Sequence, residues 1–187
     1  LRLCERFDAW LVLDDAHGFG VLGQSGGGVL QHFNLASPRI VYMATLGKAA
    51  GVSGAFVGGA ADLIETLVQR ARTYIYTTAT PPLLAHALIA SVGIIAAEGW
   101  RRELLTRLIG QLKQGVAELR WRLLPSDTPI QPLVIGGNDE ALRVAAALAA
   151  RGVQVPAIRP PTVPQGSARL RISLSAAHSV EDVAHLV

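Results

Sequence analysis

Three short, largely apolar runs, at residues 10–13, 39–44 and 54–57, each flanked by polar or glycine-rich sequence, restrict the fold of this chain more than any other feature. Apolar runs of that length without polar alternation predict strands buried on both faces, the arrangement of parallel sheets covered by helices. Residues 23–28, rich in Gly and Ser, predict a loop between the first two.

Helical periodicity takes over from Ala61, where Leu63, Ile64, Leu67 and Val68 recur at helical spacing. Asp62 and Glu65 fall in its first turn, where carboxylates suit the helix dipole. A second helix is predicted from Pro81 and Pro82 to about Glu98, and a third over 100–124 through Leu104, Leu105, Leu108, Leu112, Val116 and Leu119, stopped by Pro125. The pattern then becomes a strand at 130–135, a helix at 139–151 closed by Gly152, and a strand at 153–158. Residues 168–174 alternate strictly, with Leu170, Ile172 and Leu174 on one face and Arg169 and Arg171 on the other. Ser179 with Asp182 carries the signature of a last helix start. The expected architecture is α/β, divided into residues 1–97 and 98–187.

Composition narrows the function. The chain is 50% apolar and 17% charged, which excludes intrinsic disorder. Mean hydropathy is +0.36, yet the longest apolar stretch, 83–97, is broken by His86 and Ser91 and falls short of the roughly 18–20 residues that span a bilayer. The excess belongs to a core or to an oligomer interface. A single cysteine, Cys4, rules out an intrachain disulfide framework and points to a reducing cytosol. The net charge of +3 comes without the basic run expected of a nucleic-acid binder. The opening sequence lacks a secretory signal and begins with Leu1, so the chain is expected to be a processed product or an incomplete piece.

Among chemistry-bearing motifs, GFGVLG at 18–23 matches a dinucleotide fingerprint, but residues 14–17 separate it from its strand and a glycine-rich stretch follows where a helix should open. Gly47-Lys48 falls short of a phosphate-binding loop, because Ala49 occupies the Ser/Thr position and Tyr42 the first glycine position. Asp14, Asp15 and His17 could ligate a metal, though no second ligand cluster follows. They read equally as a hydrogen-bonded loop at a strand end.

Lys48 is one of only two lysines and lies among small residues directly after an apolar run. It is either a surface-loop lysine or a Schiff-base nucleophile toward a carbonyl cofactor. Pyridoxal phosphate (PLP) requires a lysine, an acid at the pyridine nitrogen and donors for the phosphate. Asp14, at a strand end, can supply the acid.

These residues sit in motifs that resemble the α-oxoamine synthases: DDAHGFGVLG at 14–23, TLGK at 45–48, YTTATPP at 76–82, IRPPTVP at 158–164 and ARLRISLSAAH at 168–178. The resemblance covers the whole chain but only the C-terminal half of family members. It implies a PLP-dependent transferase of fold type I: residues 1–97 as the later part of the large mixed-sheet domain, and 98–187 as the small α+β C-terminal domain. It implies the Schiff base on Lys48, the pyridine-nitrogen partner in Asp14, and a bond from His17 to the ring hydroxyl. Thr45 would bind the phosphate, and Thr77 and Thr78 would reach the phosphate of a neighbouring subunit in a homodimer. Thr162 would contact substrate, and Arg171 would grip the amino-acid carboxylate.

The implied reaction is a decarboxylative condensation of L-alanine with a pimeloyl thioester, carried on coenzyme A or acyl carrier protein, in biotin biosynthesis. Relatives using glycine, and a non-catalytic fragment or dimerisation module, are the alternatives. Thr77 and Thr78 could equally shape a turn, and Arg169 or Arg159 could be the carboxylate binder. His86 and His185 read as ordinary helix residues, and His178 as a local cap.

Overall fold

The computed structural model describes all 187 residues, which form two compact units, Leu1–Gly99 and Trp100–Val187. The first contains α1 (Arg2–Arg6), β1 (Leu11–Asp14), α2 (Gly28–His32), β2 (Ile40–Thr45), β3 (Ala55–Gly58), α3 (Ala61–Arg70), α4 (Arg72–Ile75) and α5 (Pro82–Ala97). The second contains α6 (Trp100–Gly115), β4 (Arg122–Leu123), β5 (Ile130–Gly136), α7 (Asn138–Ala149), β6 (Ala157–Ile158), β7 (Ala168–Ser173) and α8 (Val180–Leu186).

In the first unit the sheet order is β1-β2-β3, with β1 parallel and β3 antiparallel to β2. The expectation of a third parallel strand is corrected. Only residues 46–54 join β2 to β3, whereas a parallel return needs a crossover of about a dozen residues or more. Burial on both faces is corrected as well. Leu11 and Leu13 pack with Ile40, Tyr42, Ala44 and Phe56, while Val12 is 69% exposed. Register places Val12 and Asp14 on the opposite face, beside Val41 and Met43. A second small cluster, Leu46, Ala50 and Val52, receives Leu84, Leu88 and Ile95 from α5. Ser91 of α5 adds a bond to the Ala50 carbonyl at 2.6 Å.

The second unit has a four-stranded antiparallel sheet, ordered β4-β5-β7-β6. One face is covered by Leu108, Ile109 and Leu112 of α6, Ala141 of α7 and Val183 of α8. Leu133 and Ile135 of β5 meet Leu170 and Ile172 of β7 beneath them. The strict alternation at 168–174 is therefore the burial pattern of β7. α8 starts with the expected capping box: the Ser179 hydroxyl accepts from the Asp182 N–H, and the Asp182 carboxylate accepts from the Ser179 N–H.

Two elements are shorter than their periodicity predicts. α6 ends at Gly115 rather than near Pro125; a Cβ there would lie 2.7 Å from the Val187 side chain, and Val116 is buried from the turn that follows. The strand expected at 153–158 is reduced to Ala157–Ile158, since Pro156 has no N–H to give a ladder.

Candidate active site

β1 and β2 run parallel, so their C-terminal ends lie side by side, and Asp14 and Thr45 are the last residues of the two strands. Each strand then leads into a loop: residues 15–27 after β1 and 46–54 after β2. Chemistry placed beyond the carboxyl ends of parallel strands has an open approach that the strands themselves cannot block. Asp14, His17 and Lys48 are all exposed.

The decisive contact joins the two loops. Lys48 Nζ lies 2.8 Å from His17 Nε2. A charged ammonium can only donate, so in that state the imidazole accepts through Nε2 and carries its proton on Nδ1. Asp14 keeps its carboxylate at the strand end through an Asx-type turn, in which Oδ1 accepts from the Ala16 N–H at 3.0 Å. The structure thus gathers an amine, an imidazole and a carboxylate at one end of one sheet. That set can capture a carbonyl covalently, relay a proton and hold a cationic ring nitrogen.

Thr45 belongs to the same end but its hydroxyl is engaged. Oγ1 donates to the Gly54 carbonyl at 3.2 Å and accepts from the Gly47 N–H at 3.3 Å. It braces the base of the Lys48 loop, and a phosphate contact would use its remaining acceptor or redirect its proton. Thr77 and Thr78 lie on the exposed connection between α4 and α5, the Thr77 N–H bonding the Tyr74 carbonyl at 3.3 Å. No hydrogen bond joins them to the Lys48 loop.

Thr162 and Arg171 belong to the second unit. Thr162 is exposed in the turn after β6, its N–H on the Arg159 carbonyl at 3.0 Å. Arg171 stands in β7 opposite Pro132 of β5. Its neighbour on the same strand face, Arg169, is already committed: Nε donates to the Ser167 carbonyl at 3.1 Å and Nη2 to the Ser167 hydroxyl at 3.2 Å. His178 serves a local role, Nδ1 accepting from the Ser175 N–H at 3.1 Å.

Sequence reasoning missed the setting of Asp15, which it treated only as a possible metal ligand or loop residue. The side chain is 3% exposed and bonds to the Tyr42 hydroxyl at 2.7 Å. Burial, then the bond to Asp15 and its negative charge, push the Tyr42 phenol far above its usual range. The glycines at 18 and 28 were the available signal, since neither position has room for a side chain beside that carboxylate.

Comparison with known proteins gives these positions a context. An 8-amino-7-oxononanoate synthase from Nitrosospira multiformis is 66% identical over 186 residues, covering 100% of this chain and 47% of the relative. The chain spans about half the length of the curated relatives it matches. A crystal structure of 8-amino-7-oxononanoate synthase from Francisella tularensis superposes with a TM-score of 0.85 at 30% identity, over 94% of this chain and 52% of that one. A structure of SPT with PLP internal aldimine superposes at 0.91 with 26% identity, over 99% of this chain and 47% of that one. The description "Aminotransferase class I and II" matches residues 1–187 from end to end, and with the mixed α/β architecture and these superpositions the chain belongs to that family.

Proposed function

We propose that this chain carries the lysine-bearing part of the active site of a PLP-dependent acyltransferase, an 8-amino-7-oxononanoate synthase that condenses L-alanine with a pimeloyl thioester in biotin biosynthesis. Residues 1–97 form part of the cofactor domain and 98–187 the small domain of a cytoplasmic homodimer. The observation that carries this reading is the 2.8 Å contact between Lys48 and His17 beside Asp14 at the sheet end. The name and 66% identity of the Nitrosospira relative support the choice of substrates.

The residues fit the cofactor by their chemistry. The Lys48 loop is built of Gly47, Ala49, Ala50 and Gly51, and Lys48 itself is exposed, so the amine is open to a ligand. PLP, when bound, supplies an aldehyde for covalent capture and a ring that accepts electrons from the amino acid's α-carbon. Asp14 holds a proton on the ring nitrogen through its carboxylate. His17 holds the Lys48 amine at hydrogen-bond distance through Nε2 and would bond the ring hydroxyl of the bound cofactor. With its amine free, Lys48 would serve as base for the amino acid's α-proton. Thr45 holds the loop geometry and meets the phosphate, and Thr77 and Thr78 reach the partner subunit's phosphate.

In the second unit Arg171 grips the alanine carboxylate through two parallel bonds, with Thr162 beside the substrate. The commitment of Arg169 to Ser167 favours Arg171 for this role. The exposed apolar side chains of α5, Leu83 at 75% and Ile89 at 73%, support a subunit interface, since large apolar patches mark association surfaces.

Incubation of the chain with PLP, borohydride reduction and peptide mapping tests this reading. Lys48 is expected to carry the adduct and Lys48→Ala to lose it. The other lysine, Lys113, is paired with Asp127 at 2.8 Å and serves as internal control. Equal labelling of both lysines would refute the assignment.

A further inference from the structure

Asp15 is the only charged residue among the buried side chains, 3% exposed, and the reaction as read above gives it no part. Its Oδ2 accepts from the Tyr42 hydroxyl on β2 at 2.7 Å and from the Val29 N–H at the start of α2 at 2.8 Å. Its main chain is engaged as well. The N–H donates to the Met43 carbonyl of β2 at 2.8 Å, and the carbonyl accepts from the N–H groups of Gly18 and Phe19, both at 3.0 Å. One residue therefore ties both ends of the loop 15–27 to β2. A buried carboxylate is tolerable only with such donors, and charged acceptors make the stronger hydrogen bonds.

Two glycines make the room. A Cβ at Gly18 would lie 2.0 Å from Oδ1, and one at Gly28 would lie 2.0 Å from Oδ2 and 2.5 Å from the Tyr42 hydroxyl. His17 is exposed, and it lies two residues beyond Asp15 on the backbone that Asp15 ties to β2. Lys48 stands on the loop that continues β2, the strand that carries Tyr42.

We propose that Asp15, clamped by Tyr42, is a positioning residue that sets the His17 imidazole at hydrogen-bond distance from the Lys48 amine. The inference rests on the reading of Lys48 and His17 as the cofactor-holding couple. Its action is geometric: both side-chain bonds fall on a single oxygen, so an amide oxygen in the same place would accept both.

The test uses Tyr42→Phe, which keeps the ring against Phe56, 5.8 Å between centroids, and removes only the hydroxyl. Asp15→Asn is the conservative variant. Two signals are read: the ring nitrogen shifts of His17 by NMR without cofactor, and the rate of PLP trapping on Lys48. In Tyr42→Phe the Nε2 resonance is expected to move toward that of an unbonded imidazole, and trapping to slow by about tenfold, as misplaced reacting groups do. Asp15→Asn is expected to keep both signals near the parent, trapping within about twofold.

A folded Tyr42→Phe with both signals unchanged would overturn the proposal, as would an Asp15→Asn loss equal to that of Tyr42→Phe. If Tyr42→Phe fails to fold, Gly18→Ala displaces the carboxylate from its other side, with the same expectation and the same overturning result. A parent chain that shows the His17 response but never traps PLP on Lys48 would reject the cofactor reading and uphold the positioning role.

Discussion

At the scale of single residues, the site depends on atoms that are absent. Gly28 holds a left-handed φ of +78° with the Asp15 carboxylate where a side chain would begin. Gly28→Ala is expected to cost about 1–3 kcal/mol for the backbone conformation alone, read as a lower urea midpoint. Tyr42 makes a second prediction. Its folded pKa is raised, so the contribution of its protonated form is complete below the ordinary phenol value of about 10 and fades as pH rises through the folded value. A spectrophotometric titration should show a phenolate component that lags well past that value and disappears in Tyr42→Phe. Lys48 and Asp14 were legible as candidates because a lysine after an apolar run and an acid at a strand end are unusual placements. The Asp15–Tyr42 bond was not legible, because it joins residues far apart in sequence that only the β1–β2 register brings together.

Among elements, α8 shows how far local chemistry reaches. Ser179 and Asp182 spell a capping box in the sequence and form one in the fold. Ser179→Ala is expected to destabilise the chain by about 1 kcal/mol in denaturant unfolding. The Asp182 carboxyl is held below its usual range, first by the backbone N–H of Ser179 and then by its side chain. A depressed folded pKa means the cap contributes fully above the unfolded value of about 3.9 and is lost as pH falls through the folded one. Acid titration by circular dichroism should therefore show a helix loss below the usual carboxylate range in the parent that Asp182→Asn lacks. β3 marks the opposite case. Its apolar run reads the same in either direction, and the short connection, not the residues of the strand, decides that it pairs antiparallel. α6 likewise stops at Gly115 although Val116 and Leu119 continue its apolar spacing, and the side chain of Val187 packs where a Cβ at Gly115 would lie.

For the whole molecule, the two units differ in what they bury. The second has one continuous core, in which Leu108, Leu112, Leu170 and Val183 are 0–2% exposed. All of its members lie within the unit, so residues 100–187 expressed alone are expected to fold, with a dispersed NMR spectrum and a single cooperative urea transition. Leu170→Ala in that piece should cost about 2–5 kcal/mol. The first unit has two small clusters and leaves Phe7, Trp10, Val12 and Phe33 more than half exposed, so residues 1–99 alone are expected to aggregate. Sequence by itself determined the α/β class, the alternating face of β7, the helix start at Ser179 and the candidates Asp14, His17 and Lys48, because periodicity, capping and charge act over a few neighbouring residues. Tertiary structure alone decided that His17 and Lys48 meet and that Asp15, through Tyr42 and Val29, anchors the loop that carries His17. Those facts depend on strand register and on close approach between distant segments, which no local pattern encodes.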